Sequence, residues 1–157
     1  MLACFMACAT EVFAATSASA LLRDMDTFGP RTVLTRLWAD QGQFDQICSE
    51  IASGDAQWLE VARRLKAVAD SGASLALRYA VAQAIPIAPT RVLALIDHGF
   101  TIDEVCTSPF IEPGPGVAEE YRRRAVLALR SVSSVALQPV RNQCLAKVES
   151  PVGSTSH

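Results

Sequence analysis

A thiol, an imidazole and two carboxylates fall close together in the chain where Asp97 and His98 precede Asp103 and Cys106. A cysteine beside a histidine can act as a nucleophile when a third group orients the imidazole. That chemistry needs neighbours in space, which eight residues of separation across a turn do not supply. His98 stands at a predicted helix end just before Gly99, where a cation interacts favourably with the helix C-terminus. His157 is the last residue of a small polar tail. No catalytic residue is predicted from either histidine.

Carboxylate pairs occur at Asp103-Glu104 and Glu119-Glu120. Both fall in predicted first helical turns, where negative charge is stabilised by the helix dipole, so acid–base catalysis is not needed to account for them. The chain contains no glycine-rich phosphate loop and no His-Glu-x-x-His pair. Cys4 and Cys8 lie with three residues between them in an apolar stretch without a nearby histidine, which argues against zinc. No cofactor and no metal site is predicted.

Cys48, Cys106 and Cys144 remain. Cys106 and Cys144 both lie near helix ends in the C-terminal half and are the preferred disulfide pair, with Cys48 as a core-facing thiol between Ile47 and Ile51. Three reduced, buried thiols acting as small hydrophobes remain the alternative, because spacing alone does not fix connectivity.

Arg122-Arg123-Arg124 is the densest charge cluster. Glu119 and Glu120 stand at pairing distance along a helix. Arginine also suits carboxylates and phosphates on a partner. Three consecutive positions sweep about 200° of a helix and cannot converge on one ligand. Residues 108–116 hold three prolines and two glycines, which exclude helix and central strand. Phe110 and Ile111 sit inside this loop, either anchoring it to the core or meeting a partner; anchoring is the favoured role.

These groups are positioned by helices. Gly29-Pro30 opens a helix with Val33, Leu34, Leu37 and Trp38 on one face, and Phe44, Ile47, Cys48 and Ile51 mark the next. Asp55 is placed to cap a third, whose stripe of Trp58, Val61, Ala62, Leu65, Val68 and Ala69 opposes Glu60, Arg63, Arg64 and Lys66. Residues 73–85 are apolar nearly all round, as in a helix at the centre of its domain. Pro89 starts a helix through Ile96, and Thr101 with Glu104 forms a capping box. Helices over 117–132 and 137–149 complete the set. No alternating strand pattern appears. The predicted fold is all-α with about seven helices, either stacked antiparallel hairpins in the manner of an α-solenoid or a compact irregular bundle.

Residues 1–20 are apolar and rich in small side chains, with cleavage-like triplets at Val12-Phe13-Ala14 and Ala18-Ser19-Ala20. They read as a signal peptide, or else as an N-terminal apolar helix, since no basic residue follows Met1 and Glu11 interrupts the run. Residues 21–150 form the predicted helical domain, and 151–157 a disordered tail. Glu11 also argues against a transmembrane span, which needs about 20 apolar residues. Half the residues are hydrophobic and the net charge is −2 with signs well mixed. No basic face for a nucleic acid is expected.

The segments GPRTVLTRLW, IASGDAQWLEVARRL and PFIEP resemble those of small helical proteins that proteobacteria export, over about residues 29–112. The resemblance implies a HEAT-like helical fold and a periplasmic or secreted location; it implies no activity. The expected function is a non-catalytic module that binds another protein, as an immunity or inhibitor protein or an adaptor does. A small-molecule binder or enzyme subunit with a pocket between hairpins, near His98 or Arg78, is the alternative, and a cytoplasmic adaptor follows if the leader is retained.

Overall fold

The first element begins where a leader was expected to end. Ser17 accepts a hydrogen bond from the Ala20 N–H and caps a helix, α1, over Ala18–Phe28. Ala18, Leu21 and Met25 recur at helical spacing and are buried. The computed structural model describes residues 17–150; the readings of residues 1–16 and 151–157 lie outside the described residues. α1 was not anticipated, because the triplet Ala18-Ser19-Ala20 reads as a cleavage signal and here forms its first turn.

Further helices follow with short connections: α2 (Pro30–Ala39), α3 (Gln41–Ala52), α4 (Ala56–Lys66), α5 (Ser71–Gln83), α6 (Pro89–Leu93), α7 (Ile102–Val105), α8 (Val117–Arg130) and α9 (Gln138–Glu149), the last preceded by a 3-10 turn at Val135–Leu137. The described residues thus carry nine α-helices against the seven or so predicted. They contain no strand beyond one isolated bridge between Ile96 and Phe100. The fold is all-α.

Local chemistry explains the boundaries. Asp40, Asp55 and Asp70 each accept a backbone N–H at the start of α3, α4 and α5. Thr101 and Glu104 exchange both capping-box bonds, at 3.3 and 3.0 Å. The helix expected through Ile96 stops earlier, at Leu93. Asp97 then turns the chain with a left-handed backbone, φ 67°. His98 is exposed five residues beyond the end of α6, so it does not serve as the helix cap the sequence implied.

Of the two arrangements left open, the packing is that of the compact bundle. α4 touches α1, α2, α3, α5 and α6, whereas a stacked repeat would meet only its neighbours. Trp58, Leu59, Val61, Ala62 and Leu65 make α4 the central helix. α5 buries Leu77, Ala80, Val81 and Ala82 but leaves Leu75 and Tyr79 half-buried. Its apolar character reflects small alanines packed closely on α3 and α4 more than a position at the centre. The connection between α3 and α4 is tight: Gly54 has φ 76°, and its carbonyl accepts Arg91 Nη1 at 3.0 Å.

α8 and α9 pack on each other and meet the rest mainly through α6 and α7. Cys106, at the end of α7, is bonded to Cys144 in α9, with 5.1 Å between their Cα atoms. Cys48 is a free, half-buried thiol against the core. Burial, and secondarily the Asp45 charge, pushes it up to about 12, so it is protonated at neutral pH.

Candidate functional site

Tyr121 lies on the inner face of α8, and its phenol donates to the Ala82 carbonyl at 2.8 Å. That bond joins the Ile85 N–H on the same carbonyl, satisfies the buried phenol and fixes the height of α8 against the bundle. Burial raises the phenol well above its ordinary value, so it stays a donor. The Phe110 ring stands on the Tyr121 ring edge-on, with centroids 5.5 Å apart and planes at 90°. Phe110 and the buried Pro109 thereby anchor the 108–116 loop.

Ile111 does not share this role. It is 70% exposed, so the expected anchoring holds for one residue of the pair and fails for the next. Ile87, on the proline-bounded turn after α5, is 59% exposed, and Val117, opening α8, is 44% exposed. Two recesses flank the Phe110–Tyr121 stack. A groove of about 530 Å³ is walled by Pro86-Ile87 on one side and the segment from Pro115 to Val117 on the other. A larger cleft of about 730 Å³ lies toward α9, with Arg122, Glu119 and Lys147 among its polar walls.

The arginine triplet spreads as helical geometry demands. Arg122 faces the larger cleft and approaches Glu119 at 3.6 Å. Arg123 is exposed and forks onto Glu120 at 2.7 and 3.0 Å, which holds that carboxyl below its ordinary range. Arg124 lines the smaller groove and makes no ion pair among the described residues. The structure therefore brings Phe110 and Arg124 to one groove and Phe110 and Arg122 to the other, with Arg123 on neither wall.

Ile87 escaped the sequence reading, although its position between Pro86 and Pro89 is the same signal that marked Phe110 and Ile111: an apolar side chain on a segment that cannot be helix or sheet. The cluster of Lys66, Arg78 and Glu104 was also missed. Lys66 Nζ lies 3.0 Å and Arg78 Nη1 3.8 Å from Glu104, linking α4 and α5 to α7. Burial opposes ionisation of Glu104, but Lys66, the Thr101 N–H and Arg78 outweigh it and hold the carboxyl below its ordinary value of 4.5. A carboxyl with a lowered folded-state value stabilises the fold above its unfolded value and loses that contribution as pH falls through the folded one. Glu104→Gln keeps the capping geometry and removes the charge, so it should cost about 1 kcal/mol at pH 7. The gap to wild type should narrow as pH falls below 4.5, as read by urea titration at pH 7 and in the acid range.

Cys106 is half of a disulfide, which removes the nucleophile from the Cys106–His98 reading. Among the described residues no three His, Cys, Asp or Glu side chains are grouped to hold a metal ion, and no helix is long and apolar enough to cross a membrane. The two recesses described above are lined by neither His98 nor Arg78. Compared with known proteins, the chain matches no family model, no curated protein and no solved structure.

Proposed function

We propose that the chain is a non-catalytic module that presents the face around Phe110 to another protein. One observation carries this reading: Ile87, Ile111 and Val117 are left exposed on proline-bounded segments and a helix start beside a half-buried Phe110. Apolar surface rimmed by polar groups marks interaction sites, and arginine is enriched at such interfaces. A rigid loop also loses little entropy when it docks. The larger cleft toward α9 favours a second reading, a small-molecule binder, since its volume falls in the range of about 300–1,000 Å³ typical of ligand sites.

Export to an oxidising compartment such as the periplasm fits the Cys106–Cys144 disulfide. Cleavage after Ala20 would remove the first turn of α1 with the buried Ala18, whereas cleavage after Ala14 would leave that helix and its Ser17 cap whole. The earlier site is the one this proposal takes.

A photo-crosslinking phenylalanine analogue at position 111, with position 46 on the exposed face of α3 as control, tests the reading in the native host. The expected result is a single discrete protein adduct from position 111 and none from 46, on a chain whose mass lacks residues 1–14. Equal labelling from both positions, or none from 111, would sink the binding reading. A mass lacking residues 1–20 would sink the cleavage assignment.

A further inference from the structure

The smaller groove has a charge balance that selects what it accepts. Its floor is the Phe110–Tyr121 stack, and its walls are two proline-bearing segments whose backbone cannot readily rearrange. Two charged side chains line it, Glu120 and Arg124. Glu120 is already engaged: both its oxygens receive hydrogen bonds from Arg123. Arg124 is exposed and has no carboxylate partner among the described residues. Arg124 acts on Glu120 only through its field, so two arginines stand against one carboxylate beside an apolar floor, an excess of one positive charge. An incoming basic side chain would be repelled by Arg124 and would have to share Glu120 with the Arg123 fork, leaving the neutral Gln83 amide as the other side-chain acceptor. An incoming carboxylate would find a guanidinium whose fork suits it.

Resting on the protein-binding reading above, we propose that the occupant of this groove is a short segment of another protein carrying an apolar anchor and, close to it in sequence, one Asp or Glu that pairs with Arg124. The anchor sits on the Phe110–Tyr121 floor between Ile87 and Val117. A protein segment is favoured over a free fatty acid, which has the same two chemistries, because exposed apolar side chains stand on both walls of the groove, Ile87 on one and Val117 on the other. A chain with several side chains can cover both places at once, and charge complementarity at the rim then fixes its direction.

Selection of a random-peptide display library on the immobilised full chain tests this. The proposal expects enriched peptides in which an apolar residue is followed or preceded closely by Asp or Glu. Arg124→Glu should weaken the best peptide by roughly tenfold, as reversal of an exposed pair would, and shift a fresh selection toward basic peptides. Arg23→Glu, on the exposed face of α1, should change nothing, and circular dichroism should confirm both variants as helical. Enriched peptides without an acidic residue, or binding indifferent to Arg124→Glu, would overturn the charge assignment while leaving the Phe110 face as a docking surface. Dodecanoate binding at the groove with no peptide enriched would overturn it in favour of a fatty-acid site. Loss of all enrichment together with no adduct from position 111 would overturn the protein-binding reading itself.

Discussion

Replacement of Cys106 and Cys144 together by alanine should lower the free energy of unfolding by about 4 kcal/mol. The cross-link closes a loop of sequence separation 38, and the chain entropy removed from the unfolded state by a loop of that size has about this value. Both residues are fully buried, so alanine leaves no polar group stranded. The bond matters more here than its entropy implies, because α7 is a single turn and α9 fully buries only Cys144 and Val148 along its twelve residues, with Val140 and Leu145 partly covered. Guanidinium titrations of the double variant, and of the wild type in reductant, should agree with each other. A loss under about 1 kcal/mol in both would mean that packing alone holds α9 in place.

Gly54→Ala should cost about 3 kcal/mol. Two separable effects contribute. The backbone at Gly54 is left-handed, φ 76°, which an L side chain adopts at a cost of roughly 1–2 kcal/mol. The added Cβ would also stand 2.6 Å from the Ala88 Cβ, an overlap that forces the turn before α6 to shift, at roughly 1–3 kcal/mol. Ala88→Gly in the same chain removes the second effect and leaves the first. The double variant should therefore recover part of the loss seen in thermal or urea unfolding. Recovery of nothing would show that the α3–α4 turn and the turn before α6 are not in contact in solution.

Much of this architecture is readable from the residues because its determinants are local. Asp55 and the Thr101–Glu104 pair cap the helices they precede, and the stripe through Trp58 and Leu65 faces the core as its spacing requires. What escaped depends on tertiary contact. α1 looked like the end of a leader because small and apolar residues serve both purposes; the signal separating them was Ser17 followed by Leu21 and Met25 at helical spacing. The residues after α6 have the apolar pattern of a helix, yet they turn so that Phe100 can be buried. Phe110 and Ile111 are both apolar neighbours on one loop, and the tertiary position of the Tyr121 ring anchors the first while the second stays exposed. The Lys66–Arg78–Glu104 cluster joins three helices that no pairwise spacing relates. The same holds for Arg124, which stands at ion-pair distance from no carboxylate among the described residues while Arg123 forks onto Glu120.

Both tryptophans belong to one side of the molecule. Trp38 ends α2, with its ring 5.0 Å from that of Phe44, and Trp58 opens α4; no indole lies beyond residue 58. Intrinsic emission excited at the indole band thus reads out the environment of α2, α4 and the helices packed on them. Separation of α8 and α9 from that body would pass without a spectral trace, and following it calls for a reporter placed on those two helices.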